Sequence, residues 1–343
     1  MILSKIIHRL YLKIYISIVA STSKTDICVH TLKGEKLIDA FFETFQGSEV
    51  TEEMLSYVQS FVAETPFYYI SLLDNSINQG AMFGCKGEGN FKNFNPETSQ
   101  LICNKGWSSY TSKVDLINLE KKYHSFGLDF IFSPYSVLES FFEDKIEMQA
   151  TLFVLVQEDS MTVAIFENSV LKYSEFINMR NEKMDESLSL IEDNRDELNF
   201  DIDDESAVNL EEIDVDNEFE NLDDFTDIED LDEVDELEDF TEVKVEKPKQ
   251  HQESFSLNEN EEENLTAFNE GYRRFSMIQT SLNRFYTDER YEKKFIESIY
   301  IAAACDVQND LKNYLEEELF LKVYVRQIDL CEEMFDLAKR EIV

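Results

Sequence analysis

Apolar and β-branched residues are grouped into two blocks of short runs bounded by turn formers, and each block predicts a three-stranded meander. The first comprises Tyr15 to Ala20, Ile27 to Thr31 and Leu37 to Phe45, with Ser21, Thr22, Ser23 and Gly34 in the turns. The second comprises Thr151 to Val156, Met161 to Phe166 and Val170 to Phe176, with Asn168 and Ser169 at its second turn. A meander that recurs in the second half of a chain is an internal-duplication pattern. Helical spacing follows the first meander at Val50 to Ala63, where Met54, Leu55, Val58 and Phe61 share a face, and Phe67 to Leu73 is the next strand. Asn75 to Glu147 is broken by glycine, asparagine and proline. It predicts a helix over Asp115 to Ser125, a strand over Gly127 to Ser133 and a helix over Tyr135 to Phe142 begun after Pro134, and it reads as a subdomain inserted at about 75–147.

The late part of the chain carries a long helix over Leu265 to Phe295 and a closing one over Gln327 to Lys339, and between them Glu297 to Val325 reads as strand, turn, helix, strand. Asp306 is a candidate cap for the helix of Val307, Leu311, Leu315 and Leu319. A turn that receives a nucleotide after such a strand is glycine-rich, because only glycine lets the backbone approach closely. Here the turn is Ala302, Ala303, Ala304 and Cys305. The architecture is kept and the chemistry is lost.

Charge changes the picture in one region. Asn181 to Phe240 holds 28 acids against Lys183 and Arg195, so it carries −26 of a formal charge of −41. Leu222, Phe225, Ile228, Leu231, Val234, Leu237 and Phe240 recur there at every third position, a period that drifts around a helix turning about 100° per residue. The segment 181–264 therefore reads as an acidic disordered insertion, either a solvated linker or a tail that docks a second, basic partner through those seven side chains. Nucleic acid is excluded as a ligand, since it needs clustered Lys and Arg. Met1 to Tyr15 has helix-like spacing, which suits a first helix or strand packed on its own core, or an interfacial helix on an anionic membrane. Lys5, His8, Arg9 and Lys13 interrupt it, so neither a membrane span nor a signal peptide is expected. Five cysteines without metal spacing, an odd number, point to a reducing, cytoplasmic setting.

A meander, an inserted region, a second meander, a long helix and then strand, turn, helix, strand is the order of the actin-like ATPase fold. The sequence resembles PilM-type proteins, the cytoplasmic actin-like component of type IV pilus inner-membrane complexes, with relatives in type II secretion. The resemblance implies an α/β, actin-like (ribonuclease H-like) two-lobed fold, with lobes at 1–150 and at 151–180 plus 265–343. The family's first phosphate loop resembles Asp, Ile, Gly, Ser, Ser, Ser, where this chain has Ile18, Val19, Ala20, Ser21, Thr22, Ser23. The second resembles Asp, Ile, Gly, where Leu155, Val156, Gln157 stand, and the adenosine motif resembles Leu, Thr, Gly, Gly, Gly, where Ile301, Ala302, Ala303, Ala304, Cys305 stand. Ile18 and Leu155 cannot hold magnesium, and Ala20, Gln157 and the alanines put Cβ atoms where amides would close on phosphate.

No GxxxxGK[ST], GxSxG or HExxH is present, and His8, His30, His124 and His251 are isolated. No catalytic residue, metal or cofactor is expected. The resemblance implies a non-catalytic scaffold, cytoplasmic and peripheral to the inner membrane, which holds the short cytoplasmic peptide of a single-pass, PilN-like protein in a groove of its first lobe. The machine it serves would be a type IV pilus, a secretion system or a flagellar motor accessory ring, with self-assembly into a ring a further expectation. An active ATPase with unusual loops and a cytosolic adaptor working through its acidic segment are the competing readings.

Overall fold

The computed structural model describes residues 11–84, 94–104, 106–146, 149–179, 259–291, 294–307 and 309–342. The acidic segment with Leu222 to Phe240, and the first ten residues, lie outside the described residues.

Strands β1 (Leu12–Ala20), β2 (Lys24–Lys33) and β3 (Lys36–Gln46) form the first antiparallel meander, followed by helix α1 (Glu52–Val62) and β4 (Tyr68–Leu73). Thr51 caps α1 by accepting the Met54 amide at 3.3 Å, and Glu52 and Glu53 sit in its first turn, where the helix dipole favours acids. β4 runs parallel to β1, and β8 (Phe130–Phe132) parallel to β4, which gives the order β3-β2-β1-β4-β8. Strands β9 (Thr151–Val156), β10 (Ser160–Glu167), β11 (Val170–Asn178), β12 (Ser298–Ala303) and β13 (Lys322–Gln327) repeat that arrangement as β11-β10-β9-β12-β13, again with the last two joined in parallel. Asn168 and Ser169 take φ of 49° and 62° at the β10–β11 turn, the left-handed pair that matches the twist of a two-residue hairpin. Two sheets with one strand order, each begun by a meander, are the duplicated lobes of an actin-like fold.

The pleat decides which layer each side chain enters. In β9, Leu152, Val154 and Val156 pack toward helices α4 (Glu259–Thr287) and α5 (Asn309–Leu319), while Phe153 and Leu155 face the opposite layer with Ala302 of β12. In β1, Ile14, Ile16 and Ile18 pack with Met54 and Val58 of α1, and Tyr15 turns to the C-terminal helix α6 (Leu330–Ile342). Helix α3 (Pro134–Phe141), which ends the first lobe, packs on β9 and β10 of the second, and α6, which ends the second, packs on β1, β2 and β4 of the first. Each lobe thus gives its last helix to the other, and Trp107, Phe142, Phe153 and Met334 fill one core between them.

Three differences from the sequence reading have local causes. The separate sheet, in the order β5-β7-β6, comprises β5 (Gln79–Phe83), β6 (Ser99–Cys103) and β7 (Trp107–Ser112), against an expected insertion at 75–147. Helix α2 (Lys113–Lys122) then leads the chain back into the first sheet at β8. The helix after β12 begins at Asn309, so Asp306 does not cap it, and its carbonyl receives Arg274 at 3.4 Å. Cys28 and Cys331 are disulfide-bonded with Cα atoms 6.0 Å apart, a pairing that runs against the reducing setting read from the odd cysteine count, because a separation of 303 residues leaves no local spacing to reveal it. Among the described residues no helix is long and apolar enough to cross a membrane.

Candidate functional site: the cleft between the lobes

The tips of the β1–β2 and β9–β10 hairpins and the end of β12 meet in a cleft of about 380 Å³. It is lined by Ala20, Ser21, Ser23, Gln157, Glu158, Asp159, Ala304 and Cys305, among others. These are the places where the resemblance puts the two phosphate loops and the adenosine motif. Ala20, Gln157 and Ala304 do line it. Ile18, Leu155, Ala302 and Ala303 do not, because all four sit inside strands and are fully buried. β1 continues two residues past Ile18, and β9 one past Leu155, so the cleft starts beyond both.

A hydrogen-bonded seam crosses the cleft. The Thr22 amide and hydroxyl both donate to Asp159 Oδ2, at 2.6 and 2.5 Å, so one carboxylate oxygen of the second lobe takes two donors from the first. Beside it runs a relay of side chains. Asn75 donates to the Ala20 carbonyl at 2.8 Å, Gln157 Nε2 donates to Asn75 Oδ1 at 3.4 Å, and Ser160 donates to Gln157 Oε1 at 3.0 Å. Gln157 therefore works as a structural amide at a position where the resemblance expects a glycine.

The alanine turn is closed by the same accounting. The Ala304 amide donates to the Val156 carbonyl at 2.9 Å, and the Ala303 carbonyl accepts from Ile328 at 3.0 Å, so these backbone groups face protein. Cys305 is half-buried, and burial pushes its thiol pKa up against the opposing pull of Arg274, whose guanidinium lies 3.6 Å from the sulfur. A thiol held protonated is a poor nucleophile. Among the described residues no cluster of His, Cys, Asp and Glu could hold a metal ion.

A second concavity, a groove of about 860 Å³, lies between the inserted sheet and the second lobe, where Tyr110, Tyr173, Tyr291, Glu175, Arg284 and Arg290 line it. The free edges of β5 and β11 approach each other there, bridged by Ser174, whose hydroxyl donates to the Ala81 carbonyl at 2.6 Å and accepts the Ala81 amide at 3.1 Å. Glu175 accepts from Tyr173 at 2.7 Å and Ser281 at 2.6 Å and pairs with Arg284. Burial first, and then the Glu175 charge, push the Tyr173 phenol well above its ordinary range. Tyr110 lies over Gly80, where a Cβ would come within 2.4 Å of the phenol oxygen. Glycine at that point lets the ring form the groove floor.

Thr22 falls within the text matched to the first phosphate loop, whereas Asn75, Asp159 and this groove were not singled out by the sequence patterns. The signal that reaches Thr22 and Asp159 is the duplication itself, since the two residues occupy equivalent hairpin tips.

A family model described as "Domain of unknown function (DUF8341)" matches residues 152–343, more than half of the chain. The chain belongs to that family. A second model, "Domain of unknown function (DUF8569)", matches residues 11–139, so the two matches begin at the two meanders. No curated protein matches. Among solved structures, the chain is similar to the PilM–PilN type IV pilus biogenesis complex, at 10% identity and a TM-score of 0.48, over 93% of this chain and 89% of that one. It is also similar to MreB 5 of Spiroplasma citri bound to AMPPNP, at 8% identity and a TM-score of 0.43, over 96% and 97% of the two chains. A Bacteroides thetaiotaomicron protein with an actin-like ATPase fold and unknown function aligns at 13% identity with a TM-score of 0.33, over 54% of this chain and 77% of that one.

Proposed function

We propose that this protein is a non-hydrolysing actin-like scaffold on the cytoplasmic face of a bacterial inner-membrane machine of the pilus or secretion type. In this reading it takes the short cytoplasmic peptide of a single-pass, PilN-like partner. The observation that carries the first half is the seam. A magnesium nucleotide needs a carboxylate free to hold the metal's water and loop amides free to meet phosphate. The Thr22 amide and hydroxyl are instead bonded to Asp159, and the Ala304 amide is bonded to Val156. These bonds support reading the cleft as one that does not take a magnesium nucleotide.

Two lobes hydrogen-bonded at their hairpin tips suit a part whose work is to present a surface. The groove beside Tyr110 is the place we assign to the peptide. Its size is within the range of ligand pockets, and its tyrosine rings, beside the Arg284–Glu175 and Arg290–Asp288 ion pairs, suit an extended chain with aromatic side chains. This moves the expected peptide site from within the first lobe to the boundary between the inserted sheet and the second lobe.

Isothermal titration of the full chain with ATP and magnesium tests the first half. No saturable heat is expected, and micromolar binding with phosphate release overturns the scaffold reading. For the second half, the labelled cytoplasmic peptide of a single-pass protein encoded beside this one is titrated by fluorescence anisotropy. Binding that Arg284→Glu weakens at least about tenfold supports the groove, and binding that the substitution leaves unchanged places the peptide elsewhere.

A further inference from the structure

β3 is the outermost strand of the first sheet, and among the described residues it pairs only with β2. Ten of its eleven residues are exposed, and only Phe45 is buried. Its apolar side chains include Leu37, Ile38, Phe41 and Phe42, the last 61% exposed. An edge strand presents a row of unpaired amides and carbonyls, and natural proteins usually shorten such edges, cover them or stud them with lysine. Beyond Lys36 this strand carries no cation.

The register fixes what each face offers. Val29 stands opposite Phe41, which packs on Phe61 at 5.2 Å, so Asp39, Phe41, Glu43 and Phe45 face α1. His30 and Cys28 stand opposite Ala40 and Phe42, which face the α6 side together with Thr44. The pairing with β2 shifts between Thr31 and Leu32, leaving Ile38 as an extra residue, so the regular part of the edge begins at Asp39.

From this geometry we infer that β3 is a homodimer interface, with a second copy of the chain adding its own β3 antiparallel across a twofold axis at Phe42. Such an axis, normal to the sheet, keeps each face on its own side, so only residues of equal parity can stand opposite. Charge then selects among the possible centres. An axis at Phe41 opposes Asp39 to Glu43 twice, and an axis at Asp39 or at Glu43 opposes an acid to itself, all unfavourable. An axis at Ala40 sets the bulged Ile38 against Phe42. The axis at Phe42 opposes Phe42 to Phe42, Ala40 to Thr44, Phe41 to Glu43 and Asp39 to Phe45, with no like charges directly opposite and Asp39 to Phe45 paired throughout. The two first-lobe sheets become one continuous sheet, with the most exposed aromatic of the edge at its centre. A twofold contact closes at two copies, so it yields a dimer in place of a ring, and it is independent of what the cleft or the groove binds.

Sedimentation equilibrium of the full chain tests this. A species of twice 40.2 kDa is expected, strengthening as sodium chloride screens the acidic chains from each other. Phe42→Lys sets two cations at the axis and is expected to give a folded monomer with an unchanged far-UV circular dichroism spectrum, since the side chain is exposed. The register is read by cysteine cross-linking under mild oxidation. Ala40→Cys with Thr44→Cys forms a covalent dimer, because those positions oppose each other, while Ala40→Cys alone does not. A wild-type chain that stays monomeric at about 100 μM, where an interface of ordinary size is saturated, overturns the inference. So does a dimer that survives Phe42→Lys, or a cross-link through Ala40→Cys alone.

Discussion

Removing the bond between Cys28 and Cys331 should cost more than any other single change to the fold's covalent frame. It joins β2 of the first meander to the helix that ends the chain, across a separation of 303 residues. A loop of that length, closed in the unfolded chain, loses conformational entropy worth about 5–6 kcal/mol at 25 °C in the chain-entropy treatment, and removal of native disulfides costs about 2–5 kcal/mol in practice. The lower range is the better expectation here, because α6 keeps other holds on the first lobe. Glu332 lies 3.0 Å from His30 Nε2, the His30 ring stacks on Phe335 at 4.4 Å, and Tyr15 meets Phe335 edge-on at 5.3 Å. The helix should therefore stay docked while the unfolded state gains freedom. The variant is Cys28→Ala with Cys331→Ala, compared with wild type with and without reductant by urea unfolding. For an m-value of about 3 kcal/mol per molar urea, the midpoint should fall by about 1 M, and reductant should bring wild type to the same place. Alkylation of the denatured, unreduced wild type should leave Cys28 and Cys331 unlabelled, and reductant should expose both. Labelling of Cys28 and Cys331 without reductant, or a double variant with an unchanged midpoint, refutes the reasoning.

Other consequences are smaller or conditional on pH. Gly80→Ala drives a Cβ to 2.4, 2.6 and 2.8 Å from Tyr110 ring atoms, so it should destabilise by about 1–3 kcal/mol, and Tyr110→Ala in the same chain should cost less than the two changes added, in a double-mutant cycle read by thermal melting. Tyr15, Tyr110 and Tyr123 have phenols pushed up to about 12 from an ordinary 10.0, chiefly by burial, with Tyr69, Tyr291 and Glu49 respectively adding to it. The fold favours their neutral forms, so that contribution is whole below pH 10 and lost as pH rises through about 12. Phenolate absorbance and far-UV circular dichroism should accordingly change together in that window, and ionisation near pH 10 without unfolding would falsify the burial argument. Glu333 accepts from Ser140 at 3.1 Å between α3 and α6, and burial raises its pKa, so the folded state disfavours its charge. Glu333→Gln keeps the acceptor without the charge, and its stability at pH 7 should equal wild type or exceed it by up to about 1 kcal/mol, a difference that vanishes in acid where the wild-type carboxyl is protonated.

What the sequence discloses follows from which forces leave a periodic trace. The two meanders are legible because buried strands need runs of apolar residues and tight turns need residues such as Asn168, and those requirements are local. The lobes follow once the repeat is seen. The cleft is less legible for the same physical reason. Its seam is made by Thr22, Asn75, Gln157 and Asp159, polar residues at loop tips, which ordinary solvated turns also use. Nothing in a linear pattern separates a tip that meets water from one that meets another tip 137 residues away. The same blindness moved the expected cleft inward to Ile18 and Leu155. Counting back from a motif fixes a residue to within one or two places, but a strand turns a side chain to the opposite face with every place. Ile18 and Leu155 went to two different cores, while Ala20 and Gln157, two places on in each case, reached the cleft. The duplication removes part of that uncertainty. If each hairpin tip of one lobe is matched to its counterpart in the other, Thr22 and Asp159 fall on the two tips, a hydroxyl facing a carboxylate. An alanine at either tip, Thr22→Ala or Asp159→Ala, leaves both meanders with every strand residue they have, so what it alters is the meeting of the lobes. That meeting is the part of this fold that no single strand or helix encodes.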